Sequence, residues 1–596
     1  MYVVNNIKID TMQVIIDNKP YEVQEGMTIW QACTQAGIKL PSLCYMKDVS
    51  ANASCGVCVV EVKGAKSLLR SCITKVTDGM EITTNNARIL QARKMNVELL
   101  LANHPLDCQT CERNQHCELQ QITYEFGIHE RRFPRTRPEL LKRDYSSLSL
   151  IRDPEKCILC GRCVAVCREM QTVSAIDFSG RGQKTKISTF MDLGLGMVNC
   201  TNCGQCALVC PTGAIVEKSH VAQVWDAIHN PEKVVVVQTA PAIRVGIGEA
   251  MGMPWGSLVT GKMVAGLRRL GFSKVFDTDF AADLTIIEEG NELIHRIKNN
   301  GTLPMITSCS PGWIKFIEHF FPKSLPHLST CKSPQQMFGA IAKTYYAEKT
   351  GIDPRDIVVV SVMPCTAKKY EAKRPEMDGA FDYWKEKLKL TAENRFYDVD
   401  YVLTTRELGR MFKETGIDFK GLPAEEFDNP LGASTGAGVI FGATGGVMEA
   451  ALRTAYEILT GNALEDVNLT AVRGMEGIRE ADININGTVL KVAVAHTLKH
   501  ARTLLEQIEN GTSPYAFIEV MTCPGGCLGG GGQPIPTNAE IRMKRAESIY
   551  AEDSHKFIRK SHENPEIKYL YDHFLREPLG HLSHHLLHTE YVDRGM

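Results

Sequence analysis

The sequence predicts several domains: small mixed α+β modules first, then a larger doubly wound α/β domain in two lobes. Three observations carry this. The chain has 596 residues, more than one typical domain. Most of its 21 cysteines fall in tight runs before residue 211. From about residue 232, strand-like apolar runs alternate with helical stretches, the pattern of mostly parallel sheets.

Residues 1–84 read as a small α/β module. Val14-Ile-Ile and Val57 to Val62 are strands, Asp78-Gly79 is a turn, and Thr28 to Ala36 is a helix. Residues 85–145 begin with a helix, because Ala87 to Leu101 repeats apolar residues at helical spacing. The segment 131–150 is basic, proline-containing and serine-rich, so it reads as a linker, with Arg131, Arg132, Arg135 and Arg137 as a solvated loop. Residues 146–222 hold two similar cysteine runs, an internal repeat.

Residues 223–535 form the large domain. Val234-Val-Val-Val suits a strand buried on both faces. Thr285-Ile-Ile, Met305-Ile, Ile357 to Val362 and Tyr401-Val-Leu are further strand candidates, and Gly261 to Leu270 is helical. Sites in such folds gather at the carboxyl ends of strands. Residues 536–596 are histidine-rich and charged and are predicted to wrap around the surface.

Composition narrows the function. Apolar content is 44%, charged content 23% and net charge −2, which gives no footing for nucleic acid or a membrane surface. No apolar run reaches the roughly 18 residues of a membrane span. Met1-Tyr-Val-Val-Asn-Asn-Ile-Lys has no basic stretch leading into an apolar core, so no signal peptide is expected and the location reads as cytoplasmic. Clustered cysteines in such a chain point to metal or redox chemistry.

The tandem runs Cys157-x2-Cys160-x2-Cys163-x3-Cys167 and Cys200-x2-Cys203-x2-Cys206-x3-Cys210-Pro211 follow the bacterial two-cluster ferredoxin pattern, in which the fourth cysteine of each run serves the other cluster. Cys157, Cys160, Cys163 and Cys210 then hold one [4Fe–4S] cube, and Cys200, Cys203, Cys206 and Cys167 the other. Cys44-x10-Cys55-x2-Cys58-x13-Cys72 has the close inner pair and distant outer cysteines of a [2Fe–2S] site. His104-x3-Cys108-x2-Cys111-x5-Cys117 offers one imidazole and three thiolates, which suits a third accessory [4Fe–4S] cluster or zinc. Cys33 sits beside an apolar stripe and reads as a core residue.

Three further segments each follow a strand: Thr307-Ser-Cys309-Ser310-Pro-Gly-Trp313, Met363-Pro-Cys365-Thr-Ala-Lys368-Lys-Tyr-Glu371 and Met521-Thr-Cys523-Pro-Gly-Gly-Cys527-Leu-Gly-Gly-Gly-Gly-Gln-Pro534. Behind the cysteine modules, these resemble the three motifs around the active-site H-cluster of [FeFe] (iron-only) hydrogenases. The first two modules also resemble the start of the large NADH-oxidising subunit of respiratory complex I.

The resemblance implies reversible H2 oxidation and proton reduction at an H-cluster, a [4Fe–4S] cube joined through a cysteine sulfur to a two-iron unit with CO, cyanide and a dithiolate. It implies Cys365, Cys523 and Cys527 as cube ligands, with Cys527 bridging, and Lys368 as donor to a cyanide. Met363 and Met521 become soft walls, and Glu289, Glu292 and Ser329 carry protons. Both glutamates then share one helical face at i, i+3.

This sequence departs from the family at Ser310, where a second cysteine usually follows the first. The fourth cube corner is therefore left to Cys309, Ser310 or Cys331. Positional matching makes Cys309 the proton relay and Ser310 the ligand, but the softness of a thiolate toward iron makes Cys309 the expected ligand, with Ser310 or water completing the proton path.

The overall resemblance is greatest to hydrogen-activating subunits of NAD(P)-linked, electron-bifurcating complexes, which implies flavin- and iron–sulfur-bearing partner subunits. A ferredoxin-linked enzyme acting alone is the alternative. A non-catalytic iron–sulfur assembly protein, a complex I-type subunit and a sensory hydrogenase account for fewer of the motifs. No glycine motif for a nucleotide follows a strand, so NAD(P) is expected on another subunit.

Overall fold

The computed structural model describes residues 11–47, 49–137, 139–464, 466–485 and 488–595. The reading of the N-terminal leader rests on residues outside these.

In the first module a five-stranded sheet runs in the order Lys19–Gln24, Thr11–Ile16, Glu81–Thr83, Val59–Val62, Leu69–Arg70. Strand alternation turns Val14 and Ile16 inward. The helix Ile29–Gln35 starts with a capping box, in which Thr28 Oγ1 accepts from Gln31 N and the Gln31 side chain accepts from Thr28 N. It buries Ile29, Ala32 and Cys33 against the sheet. Cys33 is thus a core residue, and burial pushes its thiol up to about 12.

The helix Ala87–Asn103, capped by Asn86, leads to a loop and a second helix, Glu118–Glu125. The basic segment after it is a loop in which Arg131 and Arg132 are exposed, as expected, but every one of the four arginines has a partner. Arg131 donates to the His104 carbonyl at 2.6 Å, Arg132 pairs with Glu98 at 2.6 Å, and Arg135 pairs with Glu155 at 2.8 Å. Arg137 is buried. Carbonyl and carboxylate partners on two modules make this segment a strap.

Next comes an antiparallel pair, Leu150–Arg152 with Ile215–Glu217, and two short helices, Arg162–Ala165 and Gln205–Val209. Gly161 and Gly204 precede the two helices with φ of 77° and 70°, so the sequence repeat is also a conformational one.

The large domain has two four-stranded sheets. One runs Lys274–Asp277, Val234–Thr239, Ile357–Met363, Tyr401–Thr404, all parallel. The other runs Met305–Ile306, Phe517–Met521, Thr488–His496, Ile478–Ile485, with only the last pair antiparallel. The helix Thr278–Lys298 joins the lobes: Phe280, Ala281, Leu284 and Ile287 belong to the first core, while Ala282, Ile286 and Leu293 belong to the second.

Thr285-Ile-Ile is therefore not a strand but the middle of this helix. A helix buried on every side lacks a one-sided apolar stripe, and its short apolar runs read like a strand. Thr285 Oγ1 donates to Ala281 O at 2.8 Å, an i−4 bond available only in a helix.

The C-terminal segment does more than cover the surface. Its helix Ala539–His555 carries Arg545 and Asp553 into full burial, against Glu249 at 2.5 Å and Arg453 at 2.9 Å. Leu586 and Leu587 join the first core.

Candidate metal centres and catalytic cavity

The cysteine sets come together as four groups. Cys44, Cys55, Cys58 and Cys72 are all buried; the Cys44 thiol reaches those of Cys55 and Cys72, and Cys58 reaches Cys72. Cys157, Cys160, Cys163 and Cys210 line one cavity. Cys203, Cys200 and Cys167 are the nearest ionisable neighbours of the half-buried Cys206 thiol, ahead of Cys210. The last cysteine of each run thus faces the other run's set. Four converging soft donors suit iron–sulfur clusters.

His104 follows the helix Ala87–Asn103 and is 8% exposed. Its Nδ1 is buried without a hydrogen-bond partner among the described residues. Burial holds its imidazole down at about 4, in the neutral form that can ligate a metal. Cys111 neighbours both Cys108 and Cys117. A neutral imidazole with an unpartnered Nδ1, just before a loop that gathers Cys108, Cys111 and Cys117, suits a His-ligated cluster. This group abuts the two-cluster module: Arg113 donates to the Cys210 carbonyl at 3.0 Å, and a Cβ on Gly213 would lie 2.9 Å from Cys111 Sγ.

The three catalytic motifs meet around a cavity of about 750 Å3 at the carboxyl ends of strands from both sheets. Cys309, Cys365, Cys523 and Cys527 line it, with Ser310, Lys368, Met363 and Met521. Cys331 is not among its walls; its Sγ lies 3.8 Å from Glu292 Oε2. Lys368 Nζ donates to the Cys309 carbonyl at 3.1 Å and to Glu371 at 2.9 Å. Ser310 Oγ is 2.7 Å from Thr522 Oγ1 and accepts from Thr522 N at 3.3 Å. The Cys309 thiol is pushed well above its usual range by burial and by the Glu289 carboxylate, with Cys527 also near. Three further thiols and an ammonium around a mostly apolar space fit the H-cluster.

Cys203 also lines this cavity. Gln205 Nε2 donates to Gly529 O at 2.9 Å, and Thr366 Oγ1 donates to Asn202 O at 2.7 Å. A Cβ on Gly531 would lie 2.3 Å from Cys203 O, and one on Gly530 would lie 2.2 Å from Pro364 O. The glycine run after Cys527 lets backbone approach backbone, and so brings a ferredoxin-type ligand loop against the cavity.

On the opposite side, Glu289 and Glu292 are buried in the helix Thr278–Lys298. Burial and then the Glu292 charge raise the Glu289 carboxyl to about 8, while the neighbouring Ser329 hydroxyl acts to lower it. Ser329 Oγ donates to Glu292 Oε2 at 2.8 Å, and Arg296 pairs with Glu292 at 2.6 Å.

Sequence reasoning missed Phe441 and Gln335 on the cavity wall. The glycine-rich run Gly436-Ala-Gly-Val-Ile-Phe-Gly-Ala-Thr-Gly-Gly was a signal for the first. Gln335 gives none, because only the fold brings it within 3.0 Å of Glu371.

Comparison with known proteins accords with this geometry. Residues 233–531 match the iron-only hydrogenase large subunit, C-terminal domain, and residues 539–594 the iron hydrogenase small subunit. Residues 10–87 match a 2Fe-2S iron–sulfur cluster binding domain, 93–132 the NADH-ubiquinone oxidoreductase-G iron–sulfur binding region, and 156–214 a 4Fe-4S dicluster domain.

The chain is 50% identical to the NADP-reducing hydrogenase subunit HndD of Solidesulfovibrio fructosivorans, over 98% of this chain and 99% of that protein. It is 40% identical to iron hydrogenase 1 of Clostridium pasteurianum, over 97% and 99%. A solved structure of apo [FeFe]-hydrogenase HydA1 from Chlamydomonas reinhardtii superposes with a TM-score of 0.56 at 45% identity, covering 64% of this chain and all of that one.

The chain belongs to the iron-only, [FeFe], hydrogenase family. It is an oxidoreductase acting on H2, with an H-cluster domain behind 2Fe-2S and 4Fe-4S domains.

Proposed function

We propose that this chain oxidises H2 and reduces protons at an H-cluster held by Cys365, Cys523 and Cys527, with electrons relayed through one [2Fe–2S] and three [4Fe–4S] clusters. The observation that carries the reading is the single cavity that Cys365, Cys523, Cys527 and Lys368 share with Cys203, the ligand of a neighbouring cluster set. When bound, the H-cluster supplies heterolytic cleavage of H2 and its reverse.

The chain's own residues hold and move the proton. Cys309, between the cavity and Glu289, is the relay. Glu289, raised to about 8, carries a proton at neutral pH; it gives this to Ser329 Oγ, which passes its own to Glu292. Lys368 keeps its ammonium at the cavity wall through Glu371 and the Cys309 carbonyl. Ser310, hydrogen-bonded to Thr522, the residue before Cys523, would supply the cube's fourth ligand.

The partner reading follows the near-full-length likeness to a subunit of an NADP-reducing hydrogenase. The N-terminal region 1–130 docks a flavin- or [2Fe–2S]-bearing subunit that handles NAD(P)H, with ferredoxin as a second electron partner, in the cytoplasm. Among the described residues no helix is long and apolar enough to cross a membrane. Iron analysis, EPR and H2 assays of the anaerobically matured chain test the catalytic reading; absence of H-cluster infrared bands sinks it. Native purification tests the partner reading, which fails if the chain isolates alone and reduces ferredoxin at full rate.

A further inference from the structure

Beside the row Glu289, Ser329, Glu292 lies a second buried polar cluster that the function above leaves unused. His588 follows the helix His581–Leu587 in the C-terminal segment and is 6% exposed. The chain is stitched here to the strand-like turn at Cys331: Lys332 N donates to Leu587 O at 2.7 Å and Thr589 N to Thr330 O at 2.8 Å. The imidazole stands between two partners, with Nδ1 2.7 Å from Thr330 Oγ1 and Nε2 3.1 Å from Glu288 Oε2.

Both partners lead onward. Thr330 gives its backbone N–H to Glu292 Oε2 at 3.1 Å, the same oxygen that the Cys331 thiol approaches. One donor atom from each of Glu292, Cys331 and His588 lies within 4.8 Å of the other two. Glu288, fully buried, also accepts from Leu579 N at 2.9 Å and from the Tyr571 hydroxyl. The exposed ring of His584 stacks on His588 at 4.7 Å between centroids.

This ring is satisfied in both protonation states. When neutral, its Nε2–H donates to Glu288 while Nδ1 accepts from the Thr330 hydroxyl. When charged, both nitrogens donate, the Glu288 carboxylate supplies the counter-charge, and the Thr330 hydroxyl turns to accept. The Cys331 thiol, pushed well above its usual range by burial and then by Glu292, Glu289 and Glu288, stays neutral and can pass a proton without holding charge. Since both ring nitrogens are taken up by hydrogen bonds, the cluster is a proton network rather than an open metal site.

We propose that His588 is a proton-transfer residue of the hydrogenase reaction, giving Glu292 an outlet through Cys331 to the C-terminal segment. The proposal rests on the catalytic reading above. A proton leaving protonated Glu292 moves onto the Cys331 sulfur as the thiol's own proton moves to His588 Nδ1, which is freed when the Thr330 hydroxyl turns to accept. His588 then releases a proton to solvent on the His584 side. No electron moves, and each group ends as it began.

The test uses matured holoenzyme. His588→Gln keeps partners for Glu288 and Thr330 but carries no proton; His588→Ala leaves room for imidazole. Both are expected to keep the H-cluster infrared bands and to lower H2 turnover about tenfold, less than the ~10²–10⁴-fold of a sole acid–base group because Glu292 also meets the half-buried Arg296. Both also shift the pH profile, and added imidazole restores the alanine variant alone. Wild-type rates, an unshifted pH profile, or slow turnover in the alanine variant that imidazole leaves unchanged overturn the proposal. If the alanine variant does not fold, the rate and pH profile of the glutamine variant decide by the same criteria. A wild-type chain without H-cluster bands or turnover overturns the catalytic reading instead.

Discussion

A β-carbon on Gly204 would lie 2.3 Å from Thr366 Oγ1, so the turn between Cys203 and the helix that carries Cys206 touches the loop that carries Cys365 with no room for a side chain. Gly204 also holds φ at 70°, a left-handed value that costs other residues roughly 1–2 kcal/mol. Gly204→Ala is therefore expected to lower the melting temperature and to slow electron delivery from reduced partners. Because the cavity's own cysteines are untouched, the H-cluster infrared spectrum should survive. Unchanged delivery rates by stopped flow would show that this contact is not the electron inlet.

Glu289 makes the folded chain sensitive to alkali. Its carboxyl is raised from 4.5 to about 8, with burial the main cause. Between those pH values the folded chain keeps a proton that the unfolded chain has lost, so stability falls as pH rises through that window. Glu289→Gln should flatten this fall, measured as melting temperature against pH. Some slope remains, because burial also raises Glu519 to about 7. Turnover should drop about 10²–10⁴-fold, since an amide carries no proton. A pH slope equal to that of the unchanged chain counts against this account.

Cysteine spacing made the metal centres legible because cluster ligands recur at short, chemically fixed intervals: Cys157 to Cys210 could be paired across the two runs before any fold was known. Glu289 and Glu292 were legible for a related reason, as i, i+3 positions of one helix. Thr285 was misread because a helix buried on every side carries no periodic stripe. In the basic strap only Arg137 was misread, because its burial depends on Glu155, a partner that only the fold brings near. His588 gave no local signal at all: its partners, Thr330 and Glu288, lie more than 250 positions away.

His104 should set the potential of its cluster. A neutral imidazole in place of a thiolate leaves less negative charge on the iron and raises the potential. His104→Cys is expected to lower the midpoint of that cluster alone, read by EPR-monitored redox titration. Zinc found in stoichiometric amount at this site, or a midpoint that does not move, rules out a His-ligated cluster here.

The last prediction separates Cys309 from Ser310. Both line the cavity, but they face different neighbours: the Cys309 thiol responds to Glu289 and Cys527, whereas the Ser310 hydroxyl is hydrogen-bonded to Thr522 beside Cys523. A thiol kept protonated by burial, next to a carboxyl that also keeps its proton, is placed to pass protons. A hydroxyl hydrogen-bonded to Thr522, the residue before Cys523, and without a carboxyl partner suits the remaining ligand position. Oxygen is a harder donor to iron than sulfur, so the cube should be held less firmly at that corner. Cys309→Ala should then keep the H-cluster infrared bands and lose about 10²–10⁴-fold in turnover. Ser310→Cys should keep activity and bind the cube more tightly, measured as iron retained during chelator challenge. Cys331→Ala should leave the bands intact, since that thiol does not reach the cavity. If Cys309→Ala loses the bands while Ser310→Ala keeps them, the thiolate is the ligand and the roles are reversed.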